Sequence, residues 1–230
     1  MNFSGNVGKT TISAHLLKPR MPEAQVYSIE SINAGADESG VDVETMRGKK
    51  FGALIDEIML LNEAIIDIGA SNIEDTIKTM MQYSGSHEEI DLFIIPTVKE
   101  KKVQVDTINT IKALRNMGVP ANKIRVVFNK MDNEELPEDE FESIFAFSQN
   151  NKICTVSNLA AIYTNEVYEK LKSKNLSLGS LLEDKTDYRK KLRESKDQSE
   201  KEMCVQMIGL KRLSITANEN LDQVFKTITK

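Results

Sequence analysis

A glycine-containing stretch close to the start of the chain has the residue types that bind phosphate. The stretch reads Gly5-Asn6-Val7-Gly8-Lys9-Thr10-Thr11. Glycine lets the backbone turn so that several N–H groups point at one place, where a Cβ atom would keep an anion away. The Lys9 ammonium suits β- and γ-phosphate oxygens, and the Thr10 hydroxyl suits a magnesium ion. These residues predict a phosphate-binding loop; the alternative is an ordinary glycine-rich turn before a helix.

A single acid marks the end of an apolar segment farther along the chain. Residues 64–68 have the pattern of a buried strand that contains Asp67, and Gly69 follows it. In a nucleotide site, a carboxylate at the carboxyl end of such a strand holds the waters of Mg²⁺ opposite the loop threonine. Gly69 gives the next loop freedom to move in response to a γ-phosphate. Thr10 and Asp67 are therefore the predicted magnesium ligands, although acids are common at strand ends.

A third signal is the pattern Asn-Lys-x-Asp at the end of the strand predicted at 124–132. Its members are Asn129, Lys130 and Asp132. The amide of an asparagine at a strand end can recognise the edge of a nucleotide base. The alternative is a local role, in which Asn or Asp ends the strand by hydrogen-bonding nearby backbone groups.

The residues from Asn2 to Thr11 resemble the deviant Walker A loop of the ParA/MinD-type partition ATPases. They read Asn-Phe-Ser-Gly-Asn-Val-Gly-Lys-Thr-Thr, where that family has Asn-x-Lys-Gly-Gly-Val-Gly-Lys-Thr-Thr. Two positions depart from the family pattern, because its signature lysine is Ser4 here and its second glycine is Asn6. Together with Ile-Ile-Asp-Ile-Gly-Ala-Ser at 65–71, the loop is most similar to that of the StbB plasmid-stability proteins.

This resemblance implies a magnesium-dependent P-loop NTPase that binds ATP. Lys9 and the backbone of residues 5–11 are then expected to contact the phosphates, and Asn129 is expected to face the base. In GTPases of the same broad superfamily, Asn-Lys-x-Asp reads guanine through its acid, which is Asp132 here. GTP is therefore the alternative nucleotide.

The family also has an acidic pair, Asp-x-Asp, at the end of its second strand. Here the strand predicted at 25–30 ends in Glu30, and Ile32 stands at the position of the second acid. Glu30 is thus a candidate for positioning the attacking water, beside Lys9 and Asp67 as candidate catalytic residues. The alternative is that Glu30 is a solvated residue at a strand end.

The resemblance further implies a role in plasmid stability, partition or conjugative transfer, with a DNA-binding partner protein from the same plasmid system. In the family, the signature lysine reaches the nucleotide of the second subunit. Ser4 in its place predicts weak nucleotide-driven homodimerisation and slow hydrolysis unless a partner supplies a cation. The rival functions are a nucleotide-dependent scaffold without hydrolysis and, with no substrate motif to support it, a ligase of the dethiobiotin-synthetase type.

The composition of the chain limits the number of domains and the classes of function that it can have. A chain of 230 residues with a formal net charge of −5 predicts one domain and argues against a strongly basic coat for nucleic acid. A charged helical region at about 178–212 contains a local basic cluster: Arg189, Lys190, Lys191 and Arg193. This cluster either contacts DNA phosphates or a partner protein, or it is a solvated face. No apolar run reaches the ~20 residues of a membrane span, so a cytoplasmic location is expected.

Strands alternate with helices along the chain, which predicts an α/β fold: a doubly wound, mostly parallel sheet flanked by helices, with the site at its carboxyl edge. Five of the predicted helices lie at 43–61, 72–83, 158–174, 184–202 and 218–228, and the last core strand is predicted at 152–156. Only Met1 and Asn2 precede the glycine-containing loop. Because such a loop follows a buried strand, a first strand upstream of Met1 is expected.

Overall fold

The computed structural model describes residues 1–29, 44–46 and 51–230, the short middle range through its backbone only. Glu30 and Ile32, the candidate acid and its neighbour in the family pattern, lie outside the described residues.

The described strands form two parallel three-stranded sheets. The strands are β1 (Gln25–Ile29), β2 (Glu44–Met46), β3 (Ala64–Ile68), β4 (Phe93–Thr97), β5 (Ile124–Met131) and β6 (Ala161–Tyr163). The first sheet has the order β2-β1-β3 and the second has the order β4-β5-β6. Every described pair is parallel. Parallel strands covered on both faces need apolar side chains on both faces, which explains the continuous apolar runs at β3 and β4.

Helices connect and cover these strands. They are α1 (Lys9–Thr11), α2 (Phe51–Ile58), α3 (Ile73–Gln82), α4 (Lys101–Asn116), α5 (Pro137–Glu140), α6 (Glu142–Asn151), α7 (Val167–Ser173), α8 (Leu178–Glu183), α9 (Tyr188–Glu194) and α10 (Gln198–Ile228). The α1 turn continues without a break into a π-helical segment, Ile12–Leu17, and a 3₁₀ turn, Lys18–Arg20. The predicted α/β class, with parallel strands flanked by helices, is confirmed.

Successive residues of β5 show that both faces of the second sheet are covered. Side chains alternate between the two faces along a strand. Phe128 packs in a core cluster with Phe51 of α2 and Phe141. Its neighbour Val127 packs in a second cluster with Leu171 of α7. The second sheet is therefore the middle layer between two sets of helices.

Tertiary pairing changes several elements predicted from the sequence. The helix predicted at 43–61 is wrong over 44–46, which pair with β1 as β2, and within the described residues α2 spans Phe51–Ile58. The last strand is not 152–156, where Thr155 makes one isolated bridge to Arg125. It is β6, inside the segment predicted as a helix at 158–174, where only α7 is helical. Apolar residues beside an open strand edge form a strand even where their spacing also fits a helix.

The helices of the charged region also begin and end at other residues than the sequence predicted. The helix predicted at 184–202 is α9 followed by the start of α10, and the helix predicted from 218 is the end of the same 31-residue α10. Among the helices of the described residues, none is long and apolar enough to cross a bilayer.

His15 is buried in the helical segment that follows the glycine-containing loop. It is 6% exposed, and its ring centroid lies 5.7 Å from that of Tyr168. The Leu178 N–H donates to the Nδ1 atom of His15 at 3.5 Å, which is long for a hydrogen bond. Burial lowers the pKa of His15 from 6.5 to about 4, so the ring is neutral at pH 7.

We expect His15 to make the fold sensitive to acid. The unfolded chain binds a proton at this residue below pH 6.5 and the folded chain only near pH 4, so stability falls as the pH drops between these values. Between pH 7 and pH 4.5 the loss from this group should be on the order of 2–3 kcal/mol. Urea unfolding of the parent and of His15→Gln at both pH values measures it. An equal loss of stability in the two proteins would contradict the assignment.

Candidate functional site

The glycine loop, Gly5–Thr11, ends at the first turn of α1. Two of its residues, Asn6 and Gly8, have left-handed backbone conformations, with φ of 57° and 86°. Asparagine tolerates this conformation better than most residues, and glycine adopts it freely. Gly8 is the residue that caps α1, and its carbonyl accepts from the Ile12 N–H at 3.0 Å. The loop therefore turns sharply into a helix N-terminus, the arrangement predicted from the sequence.

The Lys9 side chain folds back over its own loop. Its ammonium donates to the Ser4 carbonyl oxygen at 2.8 Å and lies 3.4 Å from the Asn2 carbonyl oxygen. These carbonyls hold the charge beside the loop, within the region where the sequence predicted phosphate contacts.

Thr10 and Asp67, 57 positions apart in the sequence, contact each other at the end of β3. The Thr10 hydroxyl donates to Asp67 Oδ2 at 2.9 Å. Asp67 is 9% exposed, and Ser13 Oγ lies 3.3 Å from the same carboxylate oxygen. Ser13 was missed by the sequence analysis, although a polar residue three positions after Thr10 on a helix lies on the same face.

These three oxygen-bearing side chains are chemically suited to magnesium. Mg²⁺ takes oxygen ligands and usually combines one or two carboxylates with substrate phosphates and waters, rather than a cage made by the protein alone. Among the described residues, no group of three or more His, Cys, Asp and Glu side chains gathers at one point. A single carboxylate with two hydroxyls fits a metal that is shared with a bound phosphate.

Asn129 lies beneath the loop. It is 5% exposed, and its Nδ2 atom donates to the Val7 carbonyl oxygen at 2.9 Å. A Cβ atom added at Gly8 would come within 2.0 Å of that nitrogen. The amide nitrogen thus braces the loop backbone, and the contact with a base that the sequence predicts for Asn129 stays a prediction.

Asp132, the other expected base contact, is part of an ion-pair cluster. Lys99 Nζ lies 3.1 Å from Asp132 Oδ2 and 2.6 Å from Glu135 Oε1. The hydrogen bond from Lys99 holds the pKa of Glu135 below its ordinary value, and the two carboxylates raise the pKa of Lys99. Asn129 and Asp132 therefore make separate contacts in the described structure, one to the loop and one to Lys99.

Asn2 and Ser4 tie the start of the loop to the second sheet and to α4. Asn2 is fully buried, and its Nδ2 atom donates to the Pro96 carbonyl oxygen and to Thr107 Oγ1, both at 2.8 Å. The Ser4 hydroxyl donates to Asp106 Oδ2 at 2.6 Å. The sequence analysis gave Asn2 no role, although it is the first residue of the pattern that resembles the partition ATPases.

Two other predicted features lie apart from these contacts. Gly69 follows β3 with a negative φ, and its N–H donates to the Ile29 carbonyl oxygen at 2.9 Å, which extends the ladder between β1 and β3. The basic cluster of α9 is exposed: Arg189, Lys190, Lys191 and Arg193.

No protein-family model matches this chain, and no curated protein matches it in sequence. The geometry of the loop and of the strand ends is therefore the basis on which a function is assigned.

We expect Gly8→Ala to destabilise the fold strongly. Alanine costs roughly 1–2 kcal/mol in a left-handed conformation, and its Cβ would also collide with the buried Asn129 amide. The total loss in the free energy of unfolding should exceed about 2 kcal/mol. Gly5→Ala is the matched control, because a Cβ there meets no atom within 4 Å. Chemical denaturation of both variants checks this, and equal midpoints would contradict the described loop.

Proposed function

We propose that this chain is a magnesium-dependent nucleoside triphosphatase of the P-loop type. The observation that carries the proposal is the contact between the Thr10 hydroxyl and the Asp67 carboxylate, next to a loop that contains Lys9. A cation-binding oxygen pair beside a lysine and the N-terminus of a helix is the chemistry that a magnesium–triphosphate complex requires.

Each group of the site has a separate role in this proposal. The backbone N–H groups of the glycine loop and the Lys9 ammonium bind the phosphates. Thr10 and Asp67 hold the magnesium ion, which neutralises phosphate charge when it is bound. Asn129 keeps the loop in its turned conformation through Val7. Glu30, proposed to position the attacking water, completes the candidate catalytic set with Lys9 and Asp67.

The arrangement of the chain also supports a doubly wound fold of this class. The strands are parallel, β5 has helices packed against both of its faces, and the candidate residues lie at the carboxyl ends of β3 and β5. Ligands of open parallel sheets bind at the carboxyl ends of the strands.

The biological role proposed here follows from the sequence resemblance. The loop and the segment around Asp67 resemble those of the StbB plasmid-stability proteins, so the role that we propose is plasmid stability, partition or conjugative transfer with a DNA-binding partner protein. ATP is the proposed nucleotide. The resemblance of the loop to an ATPase family supports ATP over GTP.

A nucleotide-dependent scaffold with little hydrolysis is the second candidate. The Ser4 hydroxyl is engaged by Asp106, and it offers no charge to a second subunit. Lys99, a possible replacement cation, is held between Asp132 and Glu135. Phosphate release measured beside nucleotide affinity separates this scaffold from an efficient ATPase.

Lys9→Ala is expected to abolish detectable binding of ATP, because the variant loses the only ammonium of the glycine loop. Stability should fall by no more than about 3 kcal/mol, since the lost contacts are hydrogen bonds from one charged group. Isothermal titration with Mg·ATP and a denaturation curve measure the two effects. Lys101→Ala, an exposed lysine at the start of α4, is the control. Unchanged affinity in Lys9→Ala would remove the phosphate-loop assignment.

Asp67→Asn is expected to separate metal binding from nucleotide binding. Asparagine keeps an oxygen that accepts from Thr10 but loses the negative charge that attracts Mg²⁺. Affinity for ATP should therefore fall at least tenfold in the presence of Mg²⁺ and much less in the presence of a chelator. Titrations under the two conditions test this. A loss of equal size in both would show that Asp67 is structural.

A further inference from the structure

The long helix α10 carries two stripes of residues, and the first of them faces the protein core. Its members recur every three or four positions and are buried: Leu210, Ser214, Ala217, Leu221, Val224 and Ile228. The apolar members belong to the same core cluster as Ile12 and Leu16, which lie in the helical segment after the glycine loop. This inner stripe holds α10 against the body of the protein.

The second stripe of α10, which we call the outer stripe, has the same spacing on the opposite face. It consists of Lys201, Val205, Ile208, Arg212, Ile215 and Glu219. At 3.6 residues per turn, its centre is about 180° around the helix from that of the inner stripe. Val205 and Ile215 are 56% and 55% exposed, and Ile208 is half-buried. Apolar side chains that alternate three and four positions apart are the pattern by which one helix packs along another.

The outer stripe is complementary to itself when two copies of α10 run antiparallel. If a two-fold axis passes at the level of Leu210, positions equally far before and after it face each other across the pair. Val205 then faces Ile215 of the second copy. Ile208 faces Arg212 of the second copy, whose methylene groups can cover it. The symmetry makes each of these contacts occur twice.

The charged ends of the outer stripe match in the same register. Lys201 stands nine positions before Leu210 and Glu219 stands nine positions after it, so an ammonium faces a carboxylate at each end of the pair. Neither side chain forms an ion pair with another described residue. Parallel pairing in register would instead place like charges side by side, which is unfavourable. The charges therefore favour the antiparallel arrangement.

Gly209 is a second and independent indication of a close neighbour at this level of the helix. Apart from proline, glycine is the least favourable residue in a helix interior. No atom of the described residues lies within 4 Å of the place that a Cβ at Gly209 would occupy, so packing among them does not require a glycine. Gly209 lies at the flank of the outer stripe, one position from the level of the two-fold axis. The lack of a side chain there lets a second helix backbone approach closely.

We infer that the outer stripe of α10 is an interface between two copies of this chain, which pair antiparallel about a two-fold axis near Gly209. In each copy, the helical segment that follows the glycine loop packs on the inner side of α10, away from the second copy. The pairing therefore needs no nucleotide, and its test is independent of the proposed function.

Sedimentation velocity of the full chain without nucleotide is the first test. Between about 1 μM and 1 mM, it should show a reversible equilibrium of monomer and dimer with a dissociation constant in the micromolar range. Ile215→Asp should raise this constant at least tenfold, because the dimer would bury two carboxylates without partners. Met203→Asp is the matched control and should leave it unchanged, since Met203 is an exposed apolar residue on another face of the same helix.

Exchanging the end charges tests the register and the direction of pairing. Lys201→Glu and Glu219→Lys should each weaken the dimer by about three- to tenfold, since each replaces two attractive contacts by two repulsive ones. The double variant should regain the parental affinity. An equimolar mixture of the two single variants should also regain it, because every carboxylate in the mixed pair faces an ammonium.

Gly209→Leu tests the close approach without disturbing the subunit. It should weaken the dimer at least tenfold, while the midpoint of urea unfolding, measured where the parent is monomeric, stays the same or rises. A chain that remains monomeric at every concentration would overturn the inference, as would a dimer that forms only with Mg·ATP. Failure of the charge exchange to restore affinity would do so too. A monomeric chain that binds vesicles of phosphatidylglycerol through Val205 and Ile215 would overturn it in favour of a lipid surface.

Discussion

The hydrogen bond from the Thr10 hydroxyl to the Asp67 carboxylate fixes the glycine loop to the first sheet, and the candidate site depends on it. The same loop reaches the second sheet through Asn129, which donates to Val7, and Asn2, three residues before the loop, donates to Pro96 of that sheet. The segment from Asn2 to Thr11 is thus joined to three strands that belong to two sheets. Because each of these bonds is at least partly buried, breaking one leaves a polar group without a partner at a cost of roughly 1–3 kcal/mol.

These hydrogen bonds hold the loop backbone in one conformation without a contribution from a ligand. The loop is already turned by Asn6 and Gly8, and the Lys9 ammonium already lies beside it on the Ser4 carbonyl. Under the proposed function, a bound phosphate would replace the carbonyl contacts of Lys9 with stronger contacts to its own charged oxygens. When a site needs little rearrangement, less of the binding free energy is lost in ordering the protein.

The sequence predicted the parts of this arrangement that depend on local pattern. The apolar runs at β3 and β5, and the loop between Gly5 and Thr11, follow from residue type and spacing alone. The α/β class followed from their alternation with helices. The short strands β2 and β6 could not be predicted in this way, because three residues take the form of a strand only when a neighbouring edge is available to pair with them. The same holds for Asn2 and Ser13, whose partners lie 94 and 54 positions away.

The role of Asn129 shows why a motif does not determine the contacts of its residues. Asn-Lys-x-Asp predicts a base contact, and that contact stays a prediction. In the structure the Asn129 amide nitrogen has a backbone partner in the loop, and Lys99 pairs with Asp132. Long-range partners of this kind depend on how the strands are arranged, and the residue types alone do not reveal them.

Equilibrium binding of nucleotide to the unmodified chain tests the central claim most directly. Dialysis against labelled ATP with Mg²⁺ should give saturable binding of one nucleotide per chain, at least tenfold weaker when the metal is chelated, and displaced by inorganic triphosphate. An absence of saturable binding for both ATP and GTP, in a protein shown to be folded by its cooperative unfolding, would contradict the account.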